Sequence, residues 1–433
     1  MTDVQRLLDD LTRFVAIPSV SADPARATDV HRSAAVVAEA FRDVGIDATT
    51  VTANGGLPAV VGRAEGPPGA PTVLLYAHHD VQPVGDLTAW RSDPFTLTPR
   101  DGRLFGRGTA DDKGGIAVHL ETLRALGPDL PVSVAVLIEG EEEIGSPTLA
   151  ALLSEHSELL RADLVLAPDA VNAGPLAPTL TVSLRGLLNV LVTVRTAQRP
   201  VHSGIYGGAV PDALSALVRL LATLTDEHGA VAIDGIHPGT DSTGGPDADL
   251  VRAEAGMLPG VHLVGHGSMA ERLWDGPALT ITGIDAPNAV GAANALLPTA
   301  RAAVSIRLAP EDDPGDALNA LKTHLTAHAP WGVQLEVETV GMGRGWRAKP
   351  ASPHMTLAHE ALSEAFGTPA ISVGVGGAIP FVATVLDAMP EVDVLVTAVQ
   401  DPLTQAHAPD ESVAPTALAA ATRAQIELLR GLR

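Results

Sequence analysis

Histidines and acids gather at four points of this sequence, each time just after an apolar run. The run 72–77 (TVLLYA) leads into His78-His79-Asp80. The run 132–138 (VSVAVLI) leads into Glu139-Gly140-Glu141-Glu142-Glu143. The run 163–167 (DLVLA) leads into Pro168-Asp169, and 392–396 (VDVLV) runs on to Gln405-Ala406-His407. Imidazole and carboxylate donors suit a divalent metal, and carboxylates also serve as general acids or bases. Taken singly, each has a plainer reading: His78 a hydrogen-bonded core histidine, the glutamates a solvated turn, Asp169 a cap, His407 a surface residue. Open α/β sheets, however, carry their sites outside the carboxyl ends of their strands. A fifth cluster, Gly106 to Gly115 (GRGTADDKGG), opens a helix. Acids at a helix start often only cap it. Two acids also argue against a phosphate cradle there.

These clusters need elements to position them. Apolar spacing predicts helices over 3–16, 29–44 and 115–126, the last with Ile116, Leu120 and Leu123 on one face, and a closing helix from Pro415. Strands apolar on both faces, alternating with helices, predict an α/β fold with a mixed, largely parallel sheet covered by helices. The middle of the chain reads differently. Leu188, Val190, Val192 and Val194 alternate, and Leu214, Leu217, Val218, Leu221 and Leu224 take helical spacing. A strand over 278–284, alternation at Val304, Ile306 and Leu308, a helix at Leu318, Leu321 and Leu325, and a strand at Val333, Leu335 and Val337 follow. The order βαββαβ is that of a ferredoxin-like α+β insert. The expected division is 1–181 with 343–433 as one domain, and 182–342 as the insert. The Gly- and Asp-rich piece 226–276 reads as loops within that insert. The longest uncharged stretch, 365–386, holds Pro369, Gly374, Gly376, Gly377 and Pro380, and so reads as a buried strand–loop–helix and not as a membrane span.

Composition excludes several functions. The chain has 433 residues, 28 Lys plus Arg against 51 Asp plus Glu, and a net charge of −23. That balance opposes nucleic-acid binding and docking on an anionic membrane. With no cysteine, a disulfide framework, a thiol nucleophile and thiolate metal sites are all ruled out. The acidic, amphipathic start MTDVQRLLDDLTRF does not read as a signal peptide, so the cytoplasm is the expected location.

Nine collinear pieces resemble one family. They are IPSVS (17–21), YAHHDVQP (76–83), DPF (93–95), GRGTADDKGG (106–115), EGEEEIGS (139–146), LRG (184–186), VHSGIYGG (201–208), SIRLAP (305–310) and GGAIP (376–380). The chain is similar to the zinc-type metallopeptidases that include carnosine-type dipeptidases, carboxypeptidase G, aminoacylase, acetylornithine deacetylase and succinyl-diaminopimelate desuccinylase. The DVQP, DPF and HSGIYGG pieces look most like the dipeptidase branch. The resemblance implies two divalent metal ions, zinc first, with manganese or cobalt as alternatives. It implies that Asp111 bridges them, that His78 and Asp169 complete one site, and that Glu143 and His407 complete the other. Asp80 would orient the His78 imidazole. Glu142 matches the general base that deprotonates the attacking water and then protonates the leaving amine. The bond between Asp111 and Asp112 is expected to be cis.

By the same resemblance, His202 stabilises the tetrahedral oxyanion, from the partner subunit in dimeric members. Arg307 binds the substrate's carboxylate, a task suited to a guanidinium, and the backbone of Gly376 and Gly377 approaches the same group. The pattern departs from the family at Ala77, His79, Val375 and Ala378. The last two replace an acid and a hydroxyl of the dipeptidase pattern. The expectation is a homodimeric dinuclear metallohydrolase, paired through the insert, acting on a dipeptide or short peptide with a free carboxylate. An N-acyl-amino-acid deacylase is the alternative, and a non-catalytic homologue the distant rival.

Overall fold

The structure, a computed structural model, describes residues 3–240, 245–349, 352–377 and 380–432. The chain divides into two compact units, 1–182 with 348–373 and 380–433, and 183–347 with 374–379. The expected insert was 182–342. Trp346–Arg347 extends the second unit because it pairs antiparallel with Ser183 and Leu184.

In the first unit, four strands run parallel in the order Ser133–Glu139, Thr72–His78, Leu164–Val171, Asp393–Gln400. Every residue of Ser133–Glu139 is buried, as are all but the first of Thr72–His78. Burial on both faces is why these strands read as unbroken apolar runs. Ala59–Ala64 and Asp47–Val51 extend one side antiparallel. Thr179–Leu184 meets Asp393–Gln400 antiparallel on the other. The sheet is therefore mixed and largely parallel. Among the helices that cover it are Val4–Val15, Ala27–Asp43, Lys113–Leu126, Pro353–Phe366 and Pro415–Gly431. Lys113–Leu126 departs from its expected single apolar face. Its residues from Lys113 to Leu123 are all buried, because Val4–Val15 and Pro415–Gly431 pack on it as well as the sheet.

The second unit has the expected order: strand Gly186–Arg195, helix Ala213–Leu221, strands Ala278–Asp285 and Thr299–Leu308, helix Pro314–His328, strand Gln334–Gly343. Its sheet is antiparallel, with Ala278–Asp285 and Gln334–Gly343 at its edges. Leu188, Val190, Val192, Val304 and Ile306 face Leu217, Leu220, Leu321 and Leu325 in one apolar core. The 226–276 piece includes a short helix, Ala248–Glu254, and a π-helical turn, Glu271–Asp275. The uncharged stretch folds as strand Ile371–Val375 and helix Pro380–Ala388. Ile371 and Ser372 are exposed, so this strand is less buried than expected. Ala378 and Ile379 lie outside the described residues. Among the described residues, no helix is long and apolar enough to cross a membrane.

Candidate metal centre

The carboxyl edge of the parallel strands collects the acids and histidines. His78 ends its strand, Asp169 lies near the end of Leu164–Val171, and Glu142–Ile144 forms a 3-10 turn just past Ser133–Glu139. Asp111 sits before Lys113–Leu126, across a cis peptide bond from Asp112. His407 comes from the loop after Asp393–Gln400, where Gln405, His407 and Asp410 all take positive φ. Such backbone is uncommon outside glycine and must be held by its surroundings. Here Arg103 pairs with Asp401 at 2.8 Å, and Arg91 and Arg100 both pair with Asp410.

Asp111 is the centre of the geometry. Its Oδ1 lies 3.1 Å from His78 Nε2, and its Oδ2 lies 2.9 Å from His407 Nε2. His407 Nε2 is also 3.4 Å from Glu143 Oε2, and His78 Nε2 is 4.0 Å from both Asp169 Oδ2 and Glu142 Oε2. Two triplets, His78–Asp111–Asp169 and Asp111–Glu143–His407, thus bring their donor atoms within 4.8 Å of one another and share Asp111. The sequence expectation grouped the same five residues.

The electrostatics is that of a crowded anionic pocket. Burial first, then Asp112 and Asp111, push the Asp169 carboxyl well above its usual range. Burial and the neighbouring Asp111 push Glu143 up to about 8. Burial also raises Glu142. Burial opposes ionisation of Asp111 too, but the hydrogen bonds of His407 and His78 outweigh it and hold its pKa down. Carboxylates that repel one another in a buried pocket gain from a cation between them. Oxygen and imidazole donors in two triplets fit two divalent ions of the zinc, manganese or cobalt kind.

Supporting residues complete the site, several of which sequence reasoning missed. Asp80 does more than expected. Its backbone carbonyl lies 3.1 Å from His78 Nδ1 and its carboxylate 3.4 Å, while that carboxylate accepts the backbone N–H groups of Glu142 and Glu143. Gln82 donates its backbone N–H and its side-chain amide to the Glu143 carboxylate at 3.0 and 2.8 Å. Ser19 Oγ donates to the His79 carbonyl at 2.6 Å, which gives the IPSVS segment a bracing task. His79 itself donates from Nε2 to the Pro58 carbonyl at 2.8 Å, and burial lowers its pKa to about 4, so it is a neutral core histidine. Gly115 has no room for a side chain: a Cβ would stand 2.2 Å from Asp112 Oδ1 and 2.7 Å from Pro168 Cγ. In the second unit, His202 is exposed and its Nδ1 accepts the Gly204 N–H at 3.0 Å. Arg307 lies on Thr299–Leu308, and Gly376 and Gly377 follow Ile371–Val375.

Glu411 is the largest omission. Fully buried, it accepts N–H groups from Gly108, Ala110 and Asp111 at 3.0, 3.1 and 3.3 Å and pairs with Arg107 at 2.7 Å. It thereby ties the loop of His407 to the loop of Asp111. Removing one partner of a buried ion pair costs about 3–5 kcal/mol. Glu411→Ala is expected to lose stability on that order in urea unfolding of metal-free protein. A midpoint close to wild type would contradict the clamp.

Such a sheet edge, with acids and imidazoles gathered in two triplets that share Asp111, has the donor set of a two-metal centre. The chain belongs to peptidase family M20/M25/M40, whose family model matches residues 74–431. It is 34% identical to the cysteinylglycine-S-conjugate dipeptidase of Corynebacterium striatum, over 98% of this chain and 95% of that protein. It is 30% identical to the Cys-Gly metallodipeptidase of Schizosaccharomyces pombe, over 86% of this chain and 84% of that one. Among solved structures, the M20 family metallo-carboxypeptidase Sso-CP2 of Sulfolobus solfataricus superposes with a TM-score of 0.82 at 25% identity, covering 98% of each chain.

Proposed function

We propose that this hydrolase is a dinuclear metallodipeptidase, holding two divalent cations, zinc first, through His78, Asp111, Glu143, Asp169 and His407. The supporting observation is the shared Asp111, with one oxygen toward His78 and the other toward His407. When bound, two cations would polarise the scissile carbonyl and lower the pKa of the attacking water. Glu142 receives the proton of that water and returns it to the leaving amine. Burial raises its pKa, the direction that helps a carboxyl hand a proton back to the leaving amine. Asp80 fixes the main chain of Glu142 and the ring of His78. His202 supports the developing oxyanion, and Arg307 with the Gly376–Gly377 backbone takes the free carboxylate of the substrate. Similarity to proteins named as dipeptidases supports dipeptides rather than acylated amino acids as the substrates of this chain. A panel of dipeptides and their N-acetyl forms, assayed with added zinc, manganese or cobalt, tests this. Hydrolysis should require the free amine. Preference for the acetylated forms would make the enzyme a deacylase.

The second unit is proposed to be a lid and dimerisation domain. The edge strand Ala278–Asp285 is exposed from Thr280 onward, including Ile281 and Ile284. Edge strands must be covered or paired, and two-fold pairing is the commonest closed solution. With His202 acting across the dimer, a His202→Ala chain mixed with a Glu142→Gln chain regains activity, because one hybrid site holds both intact residues. A fully active monomer by light scattering would refute the shared site.

A further inference from the structure

Arg185 stands one residue before strand Gly186–Arg195. In the adjoining strand, Leu308 pairs with Gly186 and Arg307 with Leu187, so the two arginines sit at neighbouring positions of one strand pair. The Arg185 residue is only 8% exposed. Among the described residues, its guanidinium donates to carbonyls alone: Nε to Gly376 at 3.2 Å, and Nη1 to Gly276 at 3.2 Å and Arg272 at 3.4 Å. Its backbone N–H donates to the Val375 carbonyl at 3.2 Å. The nearby acid Asp275 is engaged by Arg347 at 2.9 Å and Ser183 at 3.3 Å.

Among the described residues, neither Arg185 nor Arg307 has a carboxylate within 4.0 Å. That is unexpected in a chain of 51 acids and 28 bases. A buried cation matched only by carbonyl dipoles retains a positive field that an anion can use. Gly376 is pressed against it: a Cβ there would stand 2.5 Å from Arg185 Nη2 and 2.7 Å from the Leu273 carbonyl. Burial first, then the charge of Arg307, lower the Arg185 pKa to about 10, which leaves it protonated at neutral pH.

We infer that Arg185 is a positioning residue for substrate recognition: it fixes the Gly376 backbone and adds a second positive charge to the Arg307 subsite for the substrate's free carboxylate. The inference rests on the proposed role of Arg307. It makes substrates with an ionised C-terminus the preferred class, beyond what a single arginine would achieve. No residue other than a guanidinium meets both demands. Lysine keeps the charge but not the planar fork that reaches three carbonyls.

The test compares Cys-Gly with its C-terminal amide, for wild type, Arg185→Gln and Arg185→Lys. Arg185→Gln should raise KM for Cys-Gly by about tenfold, the scale of one partly screened charge, with kcat nearly unchanged. KM for the amide should not move. Arg185→Lys should recover part of the KM for Cys-Gly, and its activity should fall more steeply with salt than that of Arg185→Gln. Equal KM shifts for peptide and amide in both variants would overturn the inference and leave Arg185 purely structural. Should Arg185→Gln fail to fold, Arg185→Lys decides: an unchanged ratio of the two KM values refutes the positioning role. A wild type that cleaves the amide as readily as Cys-Gly would instead remove the carboxylate subsite of Arg307 itself.

Discussion

Glu142→Gln protein is expected to fold, to bind divalent ions as wild type does and to lose about 10²–10⁴-fold in kcat, the usual cost of one general acid–base group. The geometry explains why the damage is confined to turnover. Glu142 belongs to neither donor triplet, and its carboxylate is 4.0 Å from His78 Nε2. Its neighbour Glu143 belongs to the second triplet and is held separately by Gln82. The backbone N–H of Glu142 is fixed by Asp80, so an isosteric amide side chain leaves the turn intact. The amide cannot accept the proton from water, and steady-state kinetics on metal-replete protein reads that loss. Turnover near wild type would remove Glu142 from the role of base.

Asp111→Ala should be more damaging to the centre than any other single ligand change. Asp111 is the residue the two triplets share, so its removal weakens both cation positions, whereas Asp169→Ala should weaken only one. Loss of an outer-shell partner typically costs about 10–100-fold in metal affinity, and loss of a ligand common to two ions should exceed that. The Asp111 side chain also holds both histidine rings, His78 Nε2 at 3.1 Å and His407 Nε2 at 2.9 Å. Without it, His78 and His407 lose the hydrogen bonds that hold their pKa up. Competition with a chromophoric chelator should show two weakened sites in Asp111→Ala and one in Asp169→Ala. Equal losses in both variants would contradict the shared position.

The sequence made these residues legible for a specific reason. Except for Asp111, each follows a strand largely buried on both faces, so the run that precedes it is apolar and unbroken, as at 132–138 before the glutamates. The insert was legible because one face of its sheet is buried and leaves strict alternation, as at Leu188, Val190, Val192 and Val194. The supporting contacts leave no such trace. Glu411 reaches Asp111 across 300 positions, and Gln82 reaches Glu143 across 61. Neither has a periodic pattern around it. The strand Asp47–Val51 is short, polar and mostly exposed, so it carries no apolar pattern. The all-round burial of Lys113–Leu126 follows from which helices pack on it, which its own spacing does not encode. The return of 374–379 to the second unit is likewise set by tertiary contacts such as Arg185 with Gly376.

A hydrolase built on two cations can be recognised by elemental analysis of gently purified protein alongside its activity. Close to two divalent ions per chain are expected, with loss of hydrolysis when a chelator removes them and recovery when zinc, manganese or cobalt is returned. Bound ions should also raise the melting temperature by mass action. Full activity and an unchanged melting temperature in protein shown to be free of metal would contradict it.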